Sequence, residues 1–181
     1  STAGALRWLV NDGALRTVTS PVLDTVNWYH VVGVHDGTQI KLYIDGVSVG
    51  TPVNTGNVVN NALNITIGGY YDTDNYDFPG KVDDVRIYNR ALNQAEITAL
   101  SQEYNNPGIA ISDLQKGLVG QWKFSGNAKD STPYGNDGTA TGMPMPTRNA
   151  TSGESGWATT TCKVAGCMSF DGTNDYVEAP A

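Results

Sequence analysis

The sequence predicts an all-β protein, a two-sheet antiparallel sandwich with one short helix. Apolar and polar residues alternate through most of the chain, which is the pattern of half-buried strands. Charged residues make up only 16% of the chain, while Gly, Asn and Thr, which suit tight turns, are abundant. Dipeptides such as Asp36-Gly37 and Asp45-Gly46 separate the alternating runs and predict hairpin turns.

The first half of the chain contains most of the predicted strands. Residues 5–10 and 14–19 flank Asn11-Asp12-Gly13, which predicts a hairpin. Further strands are predicted at 26–37, in two short pieces over 39–50, at 63–69 and at 81–88. The period then changes, because Asn93 and Glu96 form a capping box that predicts a short helix near 93–104.

The second half begins with a connector at 106–116. A strand is predicted at 118–124, followed by a long loop region through Thr161. Two last strands, at 166–172 and 175–179, are predicted to form a hairpin-like pair.

Composition narrows the classes of partner. The net charge of −7 disfavours nucleic acid and anionic membranes, since both require basic patches. No apolar run approaches the roughly 20 residues of a membrane span, so membrane insertion is not expected. No signal peptide is visible, and the first residues begin in mid-pattern, which favours a piece of a longer protein.

Longer segments resemble one family in their joint order. The segments "NWYHVVGVHDGTQIKLYIDGVSVG", "LNITIGG" and "FPGKVDDVRIYNRALNQAEITAL" resemble the second half of a laminin-G-like jelly roll of the concanavalin A-like lectin/glucanase class. The segments "GLVGQWKFSGNAKDSTPYGNDGT" and "CMSFDGTNDYVEAPA" resemble its first half. The resemblance therefore implies a jelly roll with its halves in swapped order: 1–105 as the C-terminal half and 117–181 as the N-terminal half.

The resemblance also implies a Trp-containing strand pair between "DYVEAP" and "ALRWLV", and no such segment is found. Three arrangements would account for this. The chain is a piece cut across two tandem domains, or it folds as one circularly permuted sandwich, or a neighbouring chain completes each half by strand addition. We favour completion within the chain or between chains, because bare strand edges would be sticky.

Calcium is the cofactor that the resemblance implies. Members of the family often bind one Ca²⁺ where the chain ends meet, and the matching positions here are Asp84, Asp130, Asn136, Asp171 and Asp175. Alternation in the strand 81–88 independently directs one of Asp83 and Asp84 inward, where a carboxylate needs a partner. A metal ion or backbone N–H groups could supply that partner, and turn capping is the alternative for Asp130 and Asp171.

An aromatic and acidic loop at 70–80 predicts a glycan contact, because aromatic rings stack on sugars and polar groups bind hydroxyls. Its candidate ligand-binding residues are Tyr70, Tyr71, Asp72, Asp74, Tyr76 and Asp77. Phe78 belongs to the same aromatic cluster, and covering an open sheet edge is the alternative role of the loop. Its Asp72, Asp74 and Asp77 are a second candidate set for calcium. Trp8, Trp28 and Trp122 fall on strands and are predicted to be core.

Catalysis is not predicted. Glucanases of this class commonly carry two Glu on one strand, with an intervening Asp, to supply the paired carboxylates of hydrolysis. The chain has only four Glu, and none is paired along a strand: Glu96, Glu103, Glu154 and Glu178. His30 and His35 do not form a nucleophile–base arrangement with any neighbour in the sequence.

Cys162 and Cys167 are the only two cysteines, and their spacing suits a local disulfide better than a zinc site, which needs four ligands. A disulfide would indicate an oxidising, extracellular or cell-surface setting, whereas two reduced buried thiols are the alternative. The leading hypothesis is thus a non-catalytic extracellular module, stabilised by calcium, that binds a glycan or a cell-surface or matrix component. The second is a structural subunit of a filament or surface layer that shares strands with neighbouring copies of itself.

Overall fold

In the computed structural model, the protein is described over residues 4–58, 63–69, 77–103, 114–143, 155–159 and 161–180. Within these ranges it contains thirteen β-strands and one α-helix. The strands are β1 Ala5–Asn11, β2 Leu15–Val22, β3 Val31–His35, β4 Gln39–Ile44, β5 Val47–Asn54, β6 Ile65–Ile67, β7 Pro79–Val82, β8 Val85–Tyr88, β9 Leu118–Trp122, β10 Thr139–Thr141, β11 Gly156–Ala158, β12 Cys167–Asp171 and β13 Tyr176–Ala179, and the helix is α1 Gln94–Gln102. Their pairings are antiparallel, which confirms the all-β class with one short helix and is consistent with a jelly-roll sandwich.

The chain forms two compact units, and each combines two separate segments. Unit 1 is Ser1–Asn61 with Asn89–Gly117, and unit 2 is Ala62–Tyr88 with Leu118–Ala181. The two halves predicted at 1–105 and 117–181 are defined by family resemblance, whereas the two units are defined by compactness. The boundaries of the halves and their swapped order therefore stay predictions. Most of the connector at 106–116 lies outside the described residues.

Unit 1 contains the β1–β2 hairpin and the β3–β4–β5 sheet. Its core cluster consists of Val10, Val18, Ile40 and Leu42, which are at most 9% exposed. Trp8 packs against this cluster and is partly buried, so it lies at the edge of the core rather than inside it. Its indole lies flat on Gly33, where a Cβ would stand 2.5 Å from the ring, and donates a hydrogen bond to the Val34 carbonyl. Trp28 is also partly exposed, because its segment is not a strand.

That segment is the loop before β3, where the predicted strand 26–37 shortens to Val31–His35. The Asp24 carboxylate accepts hydrogen bonds from the backbone N–H groups of Val26 and Asn27 and from the Tyr29 hydroxyl, at 2.9, 2.9 and 2.7 Å. These bonds hold the backbone in a turn and compete with strand formation. Local side-chain chemistry therefore overrides the alternating pattern.

The helix α1 forms as its capping box predicts. The Asn93 side chain accepts from the Glu96 N–H at 3.0 Å, and the Glu96 carboxylate accepts from the Asn93 N–H at 2.8 Å. Glu96 also forms a bidentate ion pair with Arg90, at 2.7 and 2.9 Å. Ile97 and Leu100 bury the apolar stripe of the helix.

Unit 2 contains the sheets β10–β13–β6 and β11–β12–β7 and the pair β8–β9. Each of these sheets pairs strands from 62–88 with strands from 118–181. The core lies among them and includes two tryptophans, Trp122 at 0% and Trp157 at 4% exposed, and Phe124, which contacts Trp157. The prediction that Trp122 is a core residue is confirmed.

Three strand predictions in unit 2 are corrected. β12 and β13 do not pair as a hairpin, because β12 lies between β11 and β7 while β13 lies between β10 and β6. The predicted strand 81–88 is interrupted between β7 and β8, since Asp84 has a φ of +47°, outside the β region. The predicted long loop before Thr161 contains β10 and the buried strand β11.

Candidate functional site

Asp84 lies at the break between β7 and β8, and its carboxylate is bound by protein groups. Arg86 Nη2 donates to Asp84 Oδ2 at 2.6 Å, and Gln121 Nε2 donates to Oδ1 at 2.8 Å. Only 9% of the Asp84 side chain is exposed. The partner that an inward carboxylate needs is therefore an arginine and a glutamine.

Asp130 anchors the loop that follows β9. Its Oδ1 accepts the N–H groups of Gln121 and Thr132, and its Oδ2 accepts the Thr132 hydroxyl and the Asn136 N–H, at distances of 2.7–3.0 Å. Burial raises the pKa of Asp130, but these hydrogen bonds outweigh it and the pKa is lowered. Asn136 is itself held, because its carbonyl accepts the Trp122 indole N–H at 2.9 Å.

The anchored loop carries an exposed aromatic residue at its tip. Tyr134 is 64% exposed and stands between the exposed Pro133 and Gly135, whose φ is +70°. Nothing lies within 4 Å of the position that a Cβ on Gly135 would take, so the tip is open. Tyr134 was not among the predicted ligand-binding residues; the signal for it in the sequence is the Pro133-Tyr134-Gly135 turn a few residues after Asp130.

A second cluster, here called the acidic turn, consists of Asp77, Asp171 and Asp175 near the β12–β13 connection. Asp175 is 1% exposed; its Oδ2 accepts the Asp171 N–H at 3.1 Å, and its Oδ1 is buried without a hydrogen-bond partner. Burial raises the pKa of Asp175, and the neighbouring Asp171 carboxyl adds to the rise. Asp77 Oδ2 accepts the Asn174 N–H at 2.9 Å.

Comparison with known families provides independent evidence about the fold and function of the chain. The family model described as the concanavalin A-like lectin/glucanases superfamily, of laminin G type, matches residues 1–98, more than half of the chain. The chain belongs to this superfamily. No curated protein and no solved structure matches it. Laminin-G-like domains bind glycans or matrix components, which suggests a carbohydrate-binding or adhesion module.

The calcium positions that the laminin-G-like resemblance implies divide into two places. Asp84, Asp130 and Asn136 belong to the network around Gln121, where arginine and N–H donors already occupy the carboxylate oxygens. The carboxylates of Asp84 and Asp130 therefore do not fit a metal ion as they stand, and Asn136 alone does not make a calcium site. Asp171 and Asp175 lie in the acidic turn, where the orphaned Oδ1 of Asp175 does fit one. Over the described ranges, no three His, Cys, Asp or Glu side chains are grouped to hold a metal, so such a site needs neutral oxygens as well.

The predicted glycan-binding loop falls mostly outside the residues that the structure describes. Tyr70, Tyr71, Asp72, Asp74 and Tyr76 lie outside the described residues, and so does most of the second calcium set. Asp77 is described, and its carboxylate accepts a hydrogen bond from the Asn174 N–H in the acidic turn. Its assignment as a ligand-binding residue stays a prediction.

The two cysteines of this laminin-G-like chain form the predicted disulfide, Cys162–Cys167, with a Cα–Cα distance of 5.5 Å. The alternative of two reduced thiols is therefore wrong. Asp83 holds the loop between them, because its Oδ2 accepts the Val164 N–H at 2.9 Å. Burial raises the pKa of Asp83, against the lowering effect of that hydrogen bond. Lys81 contacts Thr161 beside the same loop.

In the part of the chain that the structure describes, no helix has the length and apolar character to cross a membrane.

Proposed function

We propose that this protein is a non-catalytic, extracellular laminin-G-like module that recognises a glycan or a glycan-bearing matrix surface. The observation that carries the proposal is the exposed ring of Tyr134 on a loop fixed by Asp130. Family membership supports the class of partner. We keep calcium as a proposed structural ion of this module.

A fixed aromatic residue is suited to binding sugar. The apolar face of a pyranose ring stacks on an aromatic ring, and the phenol hydroxyl can bond to a sugar hydroxyl. Because the four hydrogen bonds to Asp130 order the loop beforehand, little conformational entropy is lost when a ligand binds. The loop at 70–77 is a second proposed contact in the same unit.

In the part of the chain that the structure describes, the carboxylates support a non-catalytic role. A glycosidase needs two accessible carboxyl groups about 5–10 Å apart. Glu96 is ion-paired with Arg90, and Glu178 accepts a hydrogen bond from Asn64. Asp171 and Asp175 form a close pair, but Asp175 is only 1% exposed, which leaves no access for a sugar. The disulfide supports the extracellular assignment, since disulfides persist in oxidising compartments.

The test is glycan binding by three variants of the full chain. On a glycan array, and by titration with any glycan captured, Tyr134→Ala should weaken binding about tenfold or more, while Tyr134→Phe should retain most of it. Leu15→Ala, which removes another side chain that is 68% exposed, is the control. Undiminished binding by Tyr134→Ala would exclude this loop, and loss on changing Tyr71 and Tyr76 to Ala would assign the site to residues 70–77.

The second candidate is a structural subunit that shares strands with its neighbours. The pairs β6–β13, β7–β12 and β8–β9 all form within one chain, which supports intrachain completion of unit 2. Sharing would then be confined to other strand edges. Light scattering of the native protein separates the two hypotheses: a discrete monomer excludes the filament, and long polymers would contradict a free recognition module.

A further inference from the structure

The asparagine just before β6 begins a motif that the proposed function leaves unused. Asn64, Ile65 and Thr66 match the acceptor sequence for N-linked glycosylation, an asparagine followed two residues later by serine or threonine with no proline between them. Such short matches also arise by chance, so the fold around the tripeptide decides whether it can carry a glycan. The other match in the chain, Asn149-Ala150-Thr151, lies outside the described residues and is not part of the proposal.

The two functional side chains of the tripeptide lie on the solvent side of unit 2. Ile65 and Ile67 pack against the core of the unit, and side chains alternate along a strand, so Thr66 lies on the opposite face. The Asn64 amide reaches Glu178, the cross-strand partner of Thr66, which places it on the same outer face. Asn64 is exposed. A bulky, hydrated glycan attached there extends into solvent and displaces no core residue.

The hydrogen bond of Asn64 is compatible with a glycan. Asn64 Nδ2 donates to Glu178 Oε1 at 2.9 Å. A primary amide nitrogen carries two hydrogens, and an N-linked sugar replaces one of them. The remaining N–H can still donate to Glu178, so attachment of the glycan does not require the loss of this contact between β13 and the start of β6.

The position of β6 gives the modification a role. In the part of the chain that the structure describes, β6 is an outer strand of its sheet, because β13 lies between β10 and β6. The outward edge of such a strand can pair with a strand of another molecule. A glycan at the start of this three-residue strand would occupy space that an added strand needs. It would therefore disfavour strand addition at β6.

We propose that Asn64 is an N-glycosylation site, with a lipid-diphosphate-linked oligosaccharide as the donor substrate. A bond forms between C1 of the sugar and Asn64 Nδ2 while the bond between C1 and the phosphate oxygen of the donor breaks. The amide loses one proton, and the lipid diphosphate leaves. This site rests on the extracellular location in the proposed function, because a secreted chain is the one that meets such a donor. It is independent of sugar recognition by Tyr134.

The test is secretion of the full chain from eukaryotic cells behind a cleavable signal peptide. We expect the secreted protein to migrate more slowly on a gel before digestion with peptide N-glycosidase than after it. Peptide mass spectrometry should then show asparagine converted to aspartate at position 64, which marks the residue that carried the glycan. Glycan-array binding by unglycosylated protein from bacteria measures the proposed function separately, so either proposal can fail alone.

Matched variants separate the motif from effects on folding. Asn64→Gln and Thr66→Ala should each lose the glycan at this site, whereas Thr66→Ser keeps the hydroxyl and should retain it. Asn149→Gln removes the other match and should leave the modification of Asn64 unchanged. A secreted wild type with unmodified Asn64 would overturn the proposal, and so would a glycan on Asn64 that survives Thr66→Ala.

Light scattering at equal protein concentration tests the role at the strand edge. Asn64→Gln and Thr66→Ala should associate more than the glycosylated wild type, and Thr66→Ser should behave as the wild type does. Equal association of all four proteins would contradict protection of the β6 edge.

Discussion

The carboxylate of Asp84 lies 2.6 Å from the guanidinium of Arg86, two residues further along the chain. Their side chains are only 9% and 12% exposed. Removing one partner of such a pair leaves a buried charge, so we expect Arg86→Met to lower the free energy of unfolding by about 3–5 kcal/mol. The double variant Asp84→Asn with Arg86→Met should recover most of this loss, because it leaves no unpaired buried charge. Asparagine also tolerates the left-handed backbone at this position. Urea unfolding measures the stability of the single and the double variant. A double variant at least as unstable as Arg86→Met would contradict an energetic coupling between Asp84 and Arg86.

Asp36 makes unit 1 sensitive to acid. The Lys41 ammonium first, and then donors from Thr38 and Gln39, hold the pKa of Asp36 well below its usual value of 3.8. A lowered pKa in the folded state means that the stabilisation is complete above pH 3.8 and is lost as the pH falls further. We expect the melting temperature to fall between about pH 4 and pH 2, and less steeply in Asp36→Asn. Lys41→Met should give an intermediate slope, whereas equal slopes in all three proteins would refute the assignment.

The disulfide Cys162–Cys167 should contribute modestly to stability. It closes a short loop with a sequence separation of 5, for which chain entropy gives about 2 kcal/mol. Dithiothreitol should therefore shift the urea midpoint of the wild type downward. The variant with both cysteines changed to alanine is the control, since its midpoint should not respond to the reductant. A wild-type midpoint that ignores full reduction would show that the cross-link contributes nothing.

Substitutions at Gly68 and Gly126 distinguish the effect of a steric collision from the effect of backbone strain. It has a φ of +91°, and a Cβ there would collide with the Phe170 ring. Gly126 has nearly the same φ, +87°, with nothing within 4 Å of its Cβ position. Gly68→Ala should cost about 1–3 kcal/mol more than Gly126→Ala, because only the former disturbs the packed core. Equal losses in the two variants, compared by thermal unfolding, would show that strain alone is responsible.

Local signals in the sequence predicted local structure well. The β1–β2 hairpin follows from Asn11-Asp12-Gly13, and the start of α1 from Asn93 and Glu96, because these signals act over a few residues. Alternation also located β12 and β13, but it could not show that they join different sheets. Strand pairing depends on residues far away in the chain, such as the Val177–Ile67 pair of β13 and β6.

In the candidate site, too, the sequence predicted local features and did not predict those that depend on the folded chain. The Cys162–Cys167 bond could be predicted, since two cysteines leave one pairing. The role of Asp84 could not be predicted, because alternation orients side chains only in a continuous strand, and the left-handed φ of Asp84 breaks the strand. Family positions gave Asp175, while the burial of its side chain follows only from the completed turn. The exposure of Tyr134 likewise follows only from the completed loop.

The interleaving of the two units sets an order for folding. All segments of unit 1 have been synthesised once Gly117 is made, whereas β6 must wait for β13, and Asn64 for a partner, Glu178, 114 residues later. Contacts of such long range are slow to form. Until β9, β12 and β13 emerge, the strands β6, β7 and β8 lack the partners that they have in the finished fold. The nascent chain therefore presents unsatisfied strand edges during this interval, which is when it is most exposed to aggregation.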